Sequence, residues 1–358
     1  MASRILRFKR TLRGLSRHIF VQDLVMKIIK CIFFAVFISL LAVPIYGQPS
    51  MIDPRGSMVT VRAIIPPDAR TARALGTFRE GNGIVIDSEG LILTIGYVIM
   101  EARHLELEIQ SGDSIPASFV GYDHRTGFGL LRAQTPINVK PLQFGDSSKV
   151  ETGDSVVLVS GIGDDASQEA RVLSRAEFTG YWEYLLDSAI YAAPAHSNFA
   201  GAAMIGPTGK LLGVGSIYTQ LAVPGLGAVP CNMFVPIDLL KPILKDLVNS
   251  GRARKPPQPW LGVHLDEFYG RVVVMRTAAD GPAERAGLKT GDVIVRVGGK
   301  SISGLSDFYR KLWANGKAGV VISLSVLQGS EIKKLQIRSE DRYQYLKLRP
   351  GSKYTKWS

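Results

Sequence analysis

The sequence predicts a mainly β protein with two folded parts: antiparallel barrels or sandwiches over residues 51–250, then a compact α+β module over 260–340. Three observations carry that expectation. Short alternating or apolar runs recur between Met58 and Val214, separated by turn-forming residues. A stretch rich in Arg, Lys and Pro, residues 251–259, then breaks the pattern and reads as a linker. Beyond it, strand and helix signals alternate.

Composition narrows the function classes. A chain of 358 residues with 46% apolar side chains, 37 Gly and 19 Pro suits an ordered, loop-rich protein of about two or three domains. Its two cysteines, Cys31 and Cys231, exclude a disulfide framework and a cysteine-based metal centre within one chain, and no cofactor or metal is expected. The net charge of +12 taken alone suggests nucleic acid or a membrane surface. Its placement argues otherwise: the first 50 residues hold +7 and residues 341–358 hold +4, which leaves +1 for residues 51–340. A nucleic-acid partner is therefore not expected.

Taken in order, residues 1–47 read as an export signal or N-terminal membrane anchor. Lys27 and Lys30 precede the 17-residue uncharged run Cys31 to Gly47, a positive segment followed by an apolar one. Cleavage after Gly47 removes it; left uncut, it is just long enough to span a bilayer. A start at Met26 gives a signal of ordinary length. Strands are expected at Met58 to Ile65, Gly83 to Ile86, Leu91 to Thr94, Leu105 to Ile109, Ser155 to Val159 and Leu211 to Val214. Ile237 to Gly251 reads as a helix with Leu239, Ile243, Leu244 and Leu247 on one face and Gly251 as its stop. In the module, Pro282 to Gly287 reads as a short helix, Asp292 to Val297 as a strand entering a Gly298-Gly299 turn, and Ser306 to Ala314 as a second helix. Residues 341–358 form a basic tail whose Tyr343, Tyr345, Tyr354 and Trp357 suit contact with anionic membrane or cell-wall polymer.

Trp260-Leu-Gly-Val263, Gly281-Pro-Ala-Glu-Arg-Ala-Gly-Leu-Lys-Thr-Gly-Asp-Val-Ile294 and Gly298-Gly-Lys-Ser-Ile302 closely resemble a bacterial PDZ domain. A glycine between apolar residues lets backbone N–H groups turn towards a peptide's terminal carboxylate, while a strand edge pairs with the peptide. By this resemblance Leu261, Gly262 and Val263 supply the carboxylate loop, and the helix from Ser306 forms the other wall; the plainer alternative is that Leu261 and Val263 only pack a core. Upstream, Gly81-Asn-Gly-Ile-Val-Ile-Asp-Ser-Glu-Gly-Leu-Ile-Leu-Thr94 resembles the opening of the trypsin-like proteases of the HtrA/Deg family. The resemblance over residues 76–339 implies a chymotrypsin-like double antiparallel β-barrel followed by a PDZ domain. It also implies an envelope location and homo-oligomers.

The three catalytic positions of that family are vacant by this correspondence. Tyr97 stands at the histidine, Gly127 at the aspartate and Ala200 at the serine, while Asn198 and Ala202 replace glycines of the oxyanion turn. Alanine offers no nucleophile, and a phenol with an ordinary pKa near 10 is a poor base. Asn198 and Ala202 are expected to make the turn less accommodating.

The leading expectation is an exported pseudoprotease that binds unfolded or C-terminal peptides of envelope proteins, or regulates an active HtrA/Deg-type protease. One alternative is a serine-type endopeptidase with relocated groups, drawing on His124 beside Asp123 or on Ser197; His196 and Ser197 point to opposite faces if extended. The other is a structural scaffold. Asp164-Asp165 is thin support for a cation site. Tyr181-Trp-Glu-Tyr184 reads either as an aromatic contact surface or as packing, and Cys231 as a buried apolar residue.

Overall fold

The computed structural model describes residues 53–163 and 166–348; the export segment, Asp164-Asp165 and the last ten residues lie outside them. The first barrel contains β1 (Met58–Ile64), β2 (Phe78–Val85), β3 (Leu91–Ile95), β4 (His104–Glu108), β5 (Ser114–Tyr122) and β6 (Phe128–Ala133). It closes in the order β1-β2-β3-β6-β5-β4, with β4 returning to pair with β1. The apolar runs make this geometry favourable: β3 is buried throughout and β4 alternates. Between β2 and β3, Asp87 Oδ1 accepts the N–H groups of Glu89 and Leu91, so the Asp-Ser-Glu-Gly stretch turns as its composition suggests.

The second barrel holds β7 (Ser155–Val159), β8 (Ser167–Gly180), β9 (Tyr184–Ala193), β10 (Ala203–Ile205), β11 (Leu211–Val223) and β12 (Gly227–Pro236). These close as β10-β11-β12-β9-β8-β7 around Val156, Leu158, Val172, Ile190, Met204 and Phe234. Cys231 is buried, as expected of a small apolar residue.

The segment expected as one helix from Ile237 to Gly251 is divided. A 3-10 turn covers Ile237–Leu239, and the α-helix runs only over Leu244–Ser250. Pro242 explains the break, since it lacks an N–H and its ring clashes with the preceding turn. Leu239 consequently lies on the exposed side, while Leu240 and Leu247 are fully buried. Gly251 ends the helix in the left-handed region at φ +74°.

The C-terminal module is a six-stranded sheet of β13 (Val263–Phe268), β14 (Arg271–Thr277), β15 (Val293–Val297), β16 (Lys300–Ser301), β17 (Val321–Gln328) and β18 (Glu331–Arg338). Its main path is β13-β14-β15-β17-β18, with β16 paired to β15. The helix Leu305–Trp313 buries Phe308, Tyr309 and Leu312 against Leu265, Val274, Ile294 and Leu324. The fold is thus mainly β, a trypsin-like double barrel followed by a PDZ-like module.

The start of the expected basic tail is folded. Asp341 caps the turn Arg342–Tyr345, the Tyr343 hydroxyl donates to Tyr122 O at 3.0 Å, and Tyr345 packs on Trp260 with ring centroids 4.5 Å apart. Tyr343 and Tyr345, placed on a free tail by the sequence reading, are here internal contacts, while Tyr354 and Trp357 lie outside the described residues. Among the described residues no helix is long and apolar enough to cross a membrane.

Candidate functional site

Two places answer to the sequence reading: the space between the barrels and the groove beside β13. Tyr97 lies on the single helical turn Gly96–Ile99 that follows β3. Its hydroxyl donates to Ser216 O at 2.7 Å, and burial raises its pKa, so it is a protonated donor to the other barrel rather than a base. Gly127 has φ +81°, donates to Asp123 O at 2.7 Å and accepts from Gly96 N at 2.7 Å. A Cβ there would stand 3.2 Å from Tyr184 Oη, which donates to Thr126 O at 2.7 Å. A phenol from the second barrel therefore fills the space beside this glycine.

Ala200 presents its carbonyl to Asn82, which donates from its backbone N at 2.7 Å and from Nδ2 at 3.0 Å. The same Nδ2 reaches Asn198 O at 2.7 Å, and Asn82 Oδ1 accepts from Ser160 Oγ and Gly161 N at 2.8 and 2.7 Å. Asn82, fully buried, joins the two barrels through this turn. Sequence reasoning placed Gly81-Asn-Gly83 only at the opening of the protease-like segment and gave Asn82 no role of its own.

Asn198 and Ala202 stand where the resemblance implies glycines. Neither has positive φ; the left-handed position is Gly201, at φ +77°, where a Cβ would lie 2.1 Å from Asn82 O. What changes is the donor. Asn198 N–H points to His196 Nδ1 at 3.0 Å, and Asn198 Nδ2 donates to Ile162 O at 3.1 Å. In the implied correspondence that N–H is one of the oxyanion donors, and here a side chain of the same turn takes it.

Among the described residues the histidines are not gathered. His196 is buried, with its own N–H on Asn232 Oδ1 at 2.6 Å, while the neighbouring Ser197 is exposed. His124 does not face the cleft as the relocated-peptidase alternative requires. Its ring packs against Tyr343, centroids 4.9 Å apart, and Asp123 Oδ2 is engaged by the Thr126 N–H and hydroxyl. Burial, then the positive charges of Arg342, Arg125 and Arg252, lower the His124 pKa to about 3. Among the described residues no group of His, Cys, Asp and Glu side chains could hold a metal ion.

The second place is built differently. Leu261, Gly262 and Val263 are buried, and Gly262 has φ +78°, with a hypothetical Cβ only 3.1 Å from Ala278 Cβ and from the Trp260 ring. Their three N–H groups converge on one carboxylate. Glu183, at the turn between β8 and β9, accepts from Gly262 N at 2.7 Å and Val263 N at 3.0 Å on Oε1, and from Leu261 N at 3.0 Å on Oε2. Next to it, Leu265 N donates to Tyr181 O at 2.8 Å. From the helical wall, buried Tyr309 donates its hydroxyl to Gly180 O and accepts the Glu183 N–H, both at 3.0 Å. The Tyr181–Tyr184 segment is thus a contact element, and Glu183, which sequence reasoning passed over, is its centre. Its one local signal is an acid inside an aromatic run.

The matching family models agree with this architecture. A trypsin-like peptidase domain model matches residues 81–214, and a PDZ domain model matches residues 259–338. A probable periplasmic serine endoprotease DegP-like of Bartonella henselae is 26% identical over 290 residues, 77% of this chain and 56% of that protein. The serine protease Do-like HtrA of Bacillus subtilis is 26% identical over 287 residues, 71% of this chain and 62% of its own length. The chain thus spans little more than half the length of these curated relatives. Among solved structures, the HtrA-type protease AlgW with a decapeptide is 20% identical, with a TM-score of 0.47 over 83% of this chain and 97% of that one. With a trypsin-like domain followed by a PDZ domain, and relatives of the same kind, the chain belongs to the HtrA/Deg family.

Proposed function

We propose that this chain is a pseudoprotease of the bacterial envelope, which binds peptides or protein C-termini through its PDZ groove instead of cleaving them. The observation that carries this reading is the loop Leu261–Val263, whose three N–H groups already hold a carboxylate at 2.7 to 3.0 Å. A terminal carboxylate is the same chemical group, and the edge of β13 beside it can pair with an extended backbone. The absence of catalysis is supported by Tyr97, Gly127 and Ala200 at the implied triad positions, and by the Asn198 N–H that bonds to His196. The relocated-peptidase reading gains nothing from His124, whose ring lies under Tyr343.

The ligands are unfolded or C-terminal peptides of envelope proteins, and an active HtrA/Deg-type protease is the partner it would regulate. The homo-oligomer rests on family likeness alone. Export is supported by the apolar run after Lys27 and Lys30, which serves as signal or inner-membrane anchor, and by relatives named periplasmic.

The test is fluorescence anisotropy of the purified chain with a fluorescein-labelled octapeptide pool, randomised except for a terminal Val, against the same pool amidated. Binding that requires the free carboxylate and disappears in Gly262→Val supports the reading. Equal binding of acid and amide pools, or indifference to Gly262→Val, favours a scaffold.

A further inference from the structure

One segment of the same chain engages three parts of the PDZ groove: the carboxylate loop, the edge of β13 and the helical wall. The carboxylate loop holds Glu183, the edge of β13 gives the Leu265 N–H to Tyr181 O, and the helical wall gives Tyr309 to Gly180 and Glu183. We propose that the β8–β9 turn is a built-in ligand of the PDZ groove, seated by the Glu183 carboxylate, and that a peptide with a free C-terminal carboxylate binds only by displacing it. The proposal rests on the peptide-binding reading above and adds its regulation.

The turn is shaped for this seat. Glu183 has φ +56°, a left-handed conformation that disfavours any side chain bearing a Cβ and persists where surrounding contacts over-determine it. Those contacts are present on every side. Trp182 stacks on Tyr184 with centroids 5.5 Å apart, and Leu185 packs against the PDZ core. Arg310, on the groove helix, pairs with Glu177 of β8 at 2.6 Å and Asp187 of β9 at 2.5 Å. Arg342, from the folded start of the tail, donates to Trp182 O at 3.2 Å.

The competition follows from the chemistry of the loop. Three N–H groups that point at one carboxylate cannot serve a second, and two carboxylates in one buried site repel each other. An outside peptide therefore meets only the fraction of molecules in which the turn has left, and its apparent dissociation constant rises by the inverse of that fraction.

The test measures the same acid and amide pools against the full chain and its Glu183→Ala, Glu183→Gln and Arg310→Ala variants. Glu183→Ala should tighten the acid pool by about tenfold or more, because the competing carboxylate is gone. Glu183→Gln, which keeps the side chain's size, should move in the same direction. Exposed Arg310→Ala leaves Glu183 in place and should give a smaller gain. Amide hydrogen exchange at Leu261, Gly262 and Val263 should accelerate in both Glu183 variants. If wild type and all three variants bind the acid pool equally, the built-in ligand is refuted while the peptide-binding reading stands. If none of them binds it, both fall.

Discussion

Rebuilding the implied catalytic triad should not by itself restore proteolysis, and the turn at Asn198 says why. Consider the triple variant Tyr97→His, Gly127→Asp, Ala200→Ser. Its nucleophile would sit on a turn whose Asn198 N–H is bonded to His196 Nδ1 at 3.0 Å. Loss of one oxyanion donor lowers kcat by about 10²–10³-fold, equivalent to about 3–4 kcal/mol. The aspartate would also enter at φ +81° with its Cβ 3.2 Å from Tyr184 Oη. A left-handed residue with a Cβ is penalised by about 1–2 kcal/mol. The informative comparison adds His196→Ala to the triple variant, so that only the competing acceptor changes. Initial rates on fluorescently labelled casein should rise by about 10²–10³-fold from the triple to the quadruple variant. Thermal melts of both variants check that the rates compare folded proteins. Equal rates in the two, at any level, would show that the Asn198–His196 contact does not withhold the donor.

Three further outcomes follow from contacts elsewhere. Asn82→Ala removes the side chain that holds Asn198 O, Ala200 O, Ser160 Oγ and Gly161 N, and should lower stability by about 2–4 kcal/mol as a shifted urea midpoint with an unchanged slope. His124, with a folded pKa of about 3 against about 6.5 unfolded, stays neutral in the fold while the unfolded chain takes up a proton. Stability is therefore full above about pH 6.5 and falls towards pH 3, by about 2 kcal/mol between pH 7 and 5, and urea titrations of His124→Phe should show a correspondingly shallower acid loss. Tyr345→Ala removes the tilted ring contact with Trp260 and the ring face under the Arg70 guanidinium 4.7 Å away, and should cost about 1–2 kcal/mol in the same assay.

The strands were legible because each is a local pattern: β3 is an apolar run broken only by Thr94 and β4 an alternating one, and burial follows both. The glycine loop at Leu261–Val263 was legible for a similar reason, since a motif of neighbouring residues fixes where its N–H groups point. The helix from Ile237 was misread where period and breaker conflict, and Pro242 outweighed the apolar spacing. Asn82 and Glu183 escaped because the partners of their side chains lie 78 to 118 residues away in the chain, at distances that no local pattern encodes. The start of the tail, residues 341–348, differs from its expectation for a related reason. Charge suggested a solvated extension, yet Tyr343 and Tyr345 find partners on the first barrel and the PDZ module.

The central claim is that this family member binds without cutting, and the most direct measurement treats the purified chain with a serine-directed fluorophosphonate probe and, in parallel, with unfolded casein. An unlabelled chain and intact casein are expected at times when an active trypsin-like protease has consumed the casein. Covalent labelling, or cleavage that a Ser197→Ala or His124→Phe substitution abolishes, would contradict the claim.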